Sequence, residues 1–129
     1  MLVGQKSAAI WQVWALVRES VENGGDDAEP ISHRAAELAA DFIRALPDDV
    51  PPPELAWEPD GAISLDWIQA RDRVVSVSIG ESDRLPYAWL DDADRGHAVA
   101  AFDRQAVLPR ILEGIRGIVQ RGNAAIGPA

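Results

Sequence analysis

Residues 91–97 (DDADRGH) carry side chains that could bind a metal ion. Asp91, Asp94 and His97 offer two carboxylates and one imidazole, a donor set that suits a hard or borderline divalent cation. The spacing is not that of an EF-hand loop, and the sequence contains no HExxH motif. Acidic residues with glycine also form hairpin turns. We therefore favour a turn, take these three residues as the metal candidates, and predict neither a metal nor a cofactor.

The other carboxylates and hydroxyls give little support for catalysis. Two carboxylates can divide acid and base roles when their environments separate their pKa values. Here Asp60 and Asp72 are better placed to cap turns, and Asp66 to lie on a solvated strand face. No serine lies in a GxSxG motif, and neither GxGxxG nor GxxxxGK[ST] occurs. We predict no catalytic residue and no cofactor-binding residue, and we favour a protein that is not an enzyme.

Aromatic residues are the most unusual feature of the composition. The chain has five tryptophans, Trp11, Trp14, Trp57, Trp67 and Trp89, with Tyr87 beside the last. Large aromatics can fill the space between a sheet and its helices, or they can anchor a protein interface. We predict Trp11, Trp14, Tyr87 and Trp89 as the interaction candidates, with Trp11 first because it lies off the main apolar stripe of its helix. Self-association through this first helix would follow.

Charge and composition limit the partners. The chain of 129 residues has a formal net charge of −9, from 21 acidic and 12 basic side chains. Nucleic acids and anionic membranes attract clustered Lys and Arg, so we expect neither as a partner. A protein partner or self-association is compatible with this charge. Because cysteine is absent, disulfides, thiolate catalysis and cysteine-based zinc sites are excluded.

The N-terminal segment does not read as a signal peptide, because Gln5, Lys6 and Gln12 interrupt its apolar residues. No apolar run approaches the roughly 20 residues of a membrane span, so we expect a cytoplasmic protein. All but one of the basic residues are arginine and alanine is abundant, which indicates a GC-rich coding sequence and a bacterial source.

Hydrophobic periodicity predicts two helices before a proline-rich connector. In the first, residues 5–23, apolar residues recur at spacings of three and four in one stripe. The second, residues 31–46, has Ser32 as a candidate N-cap and His33 one turn before Glu37 as a candidate ion pair. Pro47 ends this helix, and residues 48–53 form a stiff extended connector.

From Glu54 the period changes from 3.6 to 2, which predicts antiparallel strands with one apolar face. Residues 97–102 are a fifth strand whose alanines weaken the pattern. A final amphipathic helix starts near Pro109 and contains Gly114 and Gly117, which would permit close approach to another backbone. The fold class is α+β: two N-terminal helices, an antiparallel meander of four to five strands, and one C-terminal helix packed on the sheet. We expect a single domain over 1–129, composed of a helical part (1–47), the connector (48–53), the meander with its closing helix (54–121) and a tail (122–129).

The first predicted hairpin turns at Asp60-Gly61, where glycine can adopt the positive φ that such loops require. Its segment 58–67 (EPDGAISLDW), followed by 73–79 (RVVSVSI), resembles a group of small bacterial proteins of unknown function. They share a PDGxIxLxW hairpin and a strand similar to RVxSVSI. The resemblance covers about residues 51–90 and implies a bacterial, cytoplasmic protein. Its motif consists of turn and core residues, so it transfers no catalytic or binding residue.

Two functional hypotheses are left open. The first is a non-enzymatic protein-interaction module, acting as a homo-oligomer or as the acidic partner of another protein. The alternative is a small-molecule-binding or catalytic α+β domain with a pocket between the sheet and a helix. An exposed apolar patch would favour the first, and a concave pocket with convergent polar groups would favour the second.

Overall fold

A computed structural model describes residues 1–126 of the protein, with side chains for residues 1–120. It confirms the α+β class, with three helices and a five-stranded antiparallel meander. The elements are α1 (Val3–Asn23), α2 (His33–Ala45), β1 (Glu54–Trp57), β2 (Ile63–Ala70), β3 (Arg73–Ile79), β4 (Arg84–Asp91), β5 (Asp94–Ala101) and α3 (Pro109–Ile126). None of the helices in this part of the chain has the length and apolar character needed to cross a membrane.

The sheet has one apolar face, because alternate residues of each strand point to the same side. Cross-strand pairs such as Leu65 with Val77 and Trp67 with Val75 build this face. Helices α2 and α3 both contact β2 and β3, while α1 contacts β1 and α2. The ring of Phe42 in α2 lies 6.5 Å from that of Trp67 and 5.5 Å from that of Phe102. The core therefore lies between the helices and this single face.

Local signals fix the two ends of α2 as expected. The Ser32 hydroxyl accepts a hydrogen bond of 3.1 Å from the backbone N–H of Ala35, and His33 lies 2.9 Å from Glu37. The helix ends at Ala45, since the residue before Pro47 is pushed out of helical geometry. The Ser32 cap and the His33–Glu37 contact are confirmed.

The buried side of α1 differs from the predicted stripe. Of its five apolar members, Ile10, Val13, Trp14, Val17 and Val21, only Val13 is fully buried. Helix α1 instead packs through Ala9, Val13 and Ser20, and the Ser20 hydroxyl donates to the Val17 carbonyl at 2.7 Å. The same hydroxyl accepts from the backbone N–H of Ile31 at 2.8 Å. The buried Ser20 hydroxyl therefore provides a hydrogen-bond partner for the backbone N–H of Ile31, just before α2. Hydrophobic periodicity does not reveal this role.

The proline-rich connector is packed onto the core. The Trp67 indole N–H donates to the Pro51 carbonyl at 2.8 Å, and Val50 is buried. On the outside, Arg116 of α3 donates two hydrogen bonds to the Asp49 carboxylate, at 2.7 and 2.9 Å. The connector thereby joins α2, β2 and α3.

Helix α1 begins at Val3, two residues earlier than expected, and two further element bounds also extend beyond the sequence prediction. Strand β5 starts at Asp94, three residues earlier than expected, because Asp91 and Asp94 pair across a two-residue turn in which Asp92 has a φ of 55°. Helix α3 continues to Ile126, so residues 122–126 of the expected tail are helical. The final tail residues, 127–129, lie outside the described part of the chain.

The first hairpin also fastens the loop between α1 and α2. Gly61 has a φ of 86°, and the Asp60 carboxylate accepts from the backbone N–H of Ala62 at 3.1 Å, as the sequence predicted for this turn. The backbone of Glu29, in the loop between α1 and α2, makes two hydrogen bonds to this hairpin. Its N–H donates to the Pro59 carbonyl at 2.8 Å, and its carbonyl accepts from the Trp57 indole N–H at 2.8 Å. The hairpin is thus both a turn and a docking point.

We predict that Gly61→Ala destabilises the fold by about 1–3 kcal/mol, because alanine is strained at positive φ. Its Cβ would also lie 2.9 Å from the Pro30 carbonyl oxygen. Chemical denaturation measures the change. Gly25→Ala is the control, since a Cβ there meets no described atom within 4 Å and Gly25 has no positive φ. Equal unfolding free energies for the two variants would contradict this role of Gly61.

The Asp49–Arg116 pair should make stability depend on pH in the acidic range. The hydrogen bond from Arg116 lowers the pKa of Asp49 below its ordinary value of 3.8. Stability from a carboxylate with a lowered pKa is present above the unfolded pKa and is lost as the pH falls through the folded pKa. We expect Asp49→Asn to be less stable than wild type at neutral pH and the difference to disappear as the pH falls through the folded pKa of Asp49. Denaturation across this range tests it, with Arg116→Gln as the partner variant; a difference that is independent of pH would refute the assignment.

Candidate functional site

A cleft of about 360 Å³ opens between α3 and the β4–β5 hairpin. Its sheet side is formed by Tyr87, Trp89, Asp91 and Asp94. Strand alternation explains the first three, because residues 87, 89 and 91 point to the helix-covered face of β4. Asp94 begins β5 directly opposite Asp91. The cleft is where the apolar face of the sheet reaches solvent, at the hairpin end.

Tyr87 and Trp89 form an aromatic wall of the cleft, and Trp89 packs directly against Gly96. Tyr87 and Trp89 lie with ring centroids 5.8 Å apart and planes tilted by 34°. Gly96 faces Trp89 across the ladder, and a Cβ on Gly96 would lie 2.4 Å from Cζ2 of the indole. The Trp89 indole N–H points to the Asp94 carboxylate at a long 3.4 Å. The indole position therefore depends on the absence of a side chain at Gly96.

The helix side of the cleft consists of Arg110, Glu113, Gly114 and Gly117, at the i, i+3, i+4 and i+7 positions of one helix face. The two glycines do not serve the close backbone approach that their spacing suggested. A Cβ on Gly114 would make an ordinary contact of 3.6 Å with Val75, and one on Gly117 would meet no described atom within 4 Å. Their effect is to leave space in the cleft.

The charged lining of the cleft is predominantly acidic. Asp91, Asp94 and Glu113 contribute carboxylates, and Arg110 contributes one guanidinium. Asp91 is only 9% exposed and pairs in the sheet register with Arg73 of β3. Asp94 and Glu113 lie at the open rim and are exposed. The excess negative charge is therefore concentrated at the solvent side.

The structure does not bring the three metal candidates together. Asp91 and Asp94 lie on the helix-covered face, whereas His97 pairs with Ala88 and points to the opposite face. Across the described residues, no three His, Asp or Glu side chains are grouped so that they could hold a metal ion. The turn that we favoured for this segment is the one that forms.

The uncovered face of the sheet holds the serines and a shallow groove of about 230 Å³. Ser64 donates to Asp66 at 2.7 Å, and Ser78 donates to Glu58 at 2.8 Å. Both serine hydroxyls donate to carboxylates, so these hydrogen bonds pair polar side chains with one another on a half-buried face of the sheet. As expected from the sequence, Asp66 lies on the face opposite the apolar residues.

The four interaction candidates fall into two separate places. Trp11 is 75% exposed and Trp14 is 38% exposed on α1, where the Trp14 ring lies 5.2 Å from that of His33. Tyr87 and Trp89 instead line the cleft, Tyr87 with only 7% of its surface exposed. Trp57 and Trp67 pack in or against the core. Trp11 is therefore accessible on the surface of α1, while its role in an interaction stays a prediction; Tyr87 is unavailable as a surface anchor.

Sequence reasoning missed two exposed residues of α1 and the helix side of the cleft. Val3 and Val21 are 82% and 66% exposed. Val21 belongs to the predicted apolar stripe, and Val3 lies before residue 5, where the helix was expected to begin. For the cleft, the signal was the pair of glycines in an otherwise regular amphipathic helix.

A scan of protein-family models, a search of curated proteins and a search of solved structures each found no match to this chain.

We predict that Gly96→Ala displaces the Trp89 indole, because the new methyl group would occupy ring space. Overpacking of this kind costs about 1–3 kcal/mol, and tryptophan fluorescence should shift towards the exposed form. Gly80→Ala is the matched control, since its Cβ would lie 4.0 Å from that of Ala62. Unchanged fluorescence and stability in Gly96→Ala would contradict the placement of Trp89.

Proposed function

We propose that the protein is a non-enzymatic interaction module that self-associates through α1. The observation that carries this proposal is a partly exposed apolar seam on α1, formed by Val3, Ile10, Trp14, Val17 and Val21. Trp14, Val3 and Val21 are exposed, and Ile10 and Val17 are partly buried against the core. An apolar stripe of this length on a surface helix is typical of a partner-binding face.

The spacing of the seam is that of a helix pair. With Ser7 included, its positions are 3, 7, 10, 14, 17 and 21, an alternation of four and three residues. This is the spacing of core positions in two helices that pack along each other. Helix α1, at 21 residues, is about 31 Å long, so the whole seam can contact a partner helix.

The seam is also complementary to itself in an antiparallel arrangement. Its positions are symmetric about residue 12, so a two-fold axis there would place Val3 against Val21, Ser7 against Val17, and Ile10 against Trp14. Two-fold symmetry uses the same patch on both copies and gives a closed dimer. Antiparallel packing also places the opposite ends of the two helix dipoles beside each other.

Charge favours α1 as the contact between copies. In a chain of net charge −9, α1 carries two basic residues, Lys6 and Arg18, and two acidic residues, Glu19 and Glu22. Copies that meet through this neutral helix keep most of their negative charge apart, which limits repulsion. Because a single helix face is small compared with a standard interface, we expect a dissociable dimer with a micromolar dissociation constant.

Sedimentation velocity over a concentration series tests the proposal. We expect wild type to dimerise and Val21→Glu to remain monomeric at the same concentrations, because a charge would be buried in the seam. Gln12→Glu is the matched control: it adds the same charge to α1 at an exposed position away from the seam, and it should still dimerise. A wild type that is monomeric throughout, or a Val21→Glu variant with unchanged affinity, would refute self-association through α1.

The direction of pairing has its own test, made possible by the absence of native cysteine. Antiparallel packing predicts that Ser7→Cys chains mixed with Val17→Cys chains form a mixed disulfide faster than either chain links to itself. Preferential linkage of Ser7→Cys chains to each other would contradict the antiparallel arrangement.

A further inference from the structure

The cleft beside α3 combines features that the proposed dimer does not use. Its sheet wall is aromatic, from Tyr87 and Trp89, and the carboxylates of Asp94 and Glu113 flank its opening from opposite sides. Its volume of about 360 Å³ lies at the lower end of the range for small-molecule sites. We propose that this cleft binds a small organic cation that carries N–H donors, namely a primary ammonium or a guanidinium group.

The aromatic wall supplies the first part of the recognition. The face of an indole or phenol ring is electron-rich, and tryptophan attracts cations more strongly than the other aromatics. Trp89 is half-buried and fixed over Gly96, so the ring is already in place before a ligand arrives. A preorganised wall of this kind lowers the entropy cost of binding.

The carboxylates determine the charge and the hydrogen-bonding character of the ligand. Arg110 can offset one of them, and Arg73 lies beside Asp91 in the register, which leaves a net excess of carboxylate at the rim. Carboxylates accept hydrogen bonds, so they favour a cation with N–H groups over a quaternary ammonium, which has none. The net charge of −9 adds long-range attraction for any cation.

The two glycines of α3 make the space for such a ligand. Glycine is among the least favourable residues inside a helix, and a Cβ on Gly117 would meet no described atom within 4 Å. Packing therefore does not require glycine there. A larger side chain at this position would project into the cleft, which gives a direct way to fill the site while the backbone stays unstrained.

Calorimetric titration with agmatine, putrescine and choline tests the proposal on the full chain. Agmatine and putrescine should bind, with Trp89 fluorescence changing on binding, and choline should bind at least about tenfold more weakly because it has no N–H donor. Affinity should also fall as salt is added. Choline binding as tightly as agmatine, or no binding of either amine, would overturn the proposal.

Two variants locate the site. Gly117→Leu should abolish amine binding without lowering the thermal midpoint, and Glu113→Gln should weaken binding by about tenfold. Glu81→Gln is the matched control, since it removes the same charge from an exposed residue outside the cleft and should leave affinity unchanged. Equal losses in Glu113→Gln and Glu81→Gln would indicate nonspecific attraction to an acidic protein and would overturn the assignment. Retained affinity in Gly117→Leu would do the same.

Discussion

The structure depends on one constraint: the sheet has a single apolar face, and the helices must cover it. Alternation along β2, β3 and β4 places most of the large apolar residues on that face and the serines on the other. A meander of hairpins cannot bury both faces without further elements, so α2 and α3 pack on the same side. The opposite face carries hydrogen-bonded polar groups, such as Ser64 with Asp66, together with exposed apolar side chains such as Ile68 and Val99.

This one-sided arrangement determines where working surfaces can occur. Helix α1 packs beside α2 and β1, so only part of its circumference is buried and its remaining apolar residues face outward. At the other end of the sheet, glycines in α3 leave the β4–β5 hairpin incompletely covered. Both candidate surfaces are therefore places where the covering layer is incomplete: an apolar helix face in one case and an aromatic, acidic cleft in the other.

Two indole N–H groups attach the segments that connect the helices and the sheet. Trp57 donates to the Glu29 carbonyl in the α1–α2 loop, and Trp67 donates to the Pro51 carbonyl in the connector. Each indole buries its apolar body and uses its N–H to satisfy a carbonyl that has no strand partner. Three of the five tryptophans thus have clear structural roles, Trp89 being fixed over Gly96. Trp11 and Trp14 on α1 are the two that lie on an exposed surface.

The sequence by itself determined the fold class, the order of elements, the Gly61 turn and the Ser32 cap. These follow from periodicity and from the local chemistry of glycine, serine and proline, which act within a few residues. Only the tertiary structure decided which side of α1 is buried, because an apolar arc wider than usual can turn either edge towards a neighbouring helix. It also decided that His97 lies on the opposite face from Asp91, since that depends on the register of β5 against β4. The cleft required residues of β4 and β5 to meet residues of α3 that lie between 16 and 30 positions later in the sequence. No local sequence pattern predicts such long-range contacts. Considered from the sequence alone, Gly117 only lowers the helix propensity of α3, whereas in the structure it lines the cleft and leaves space in it.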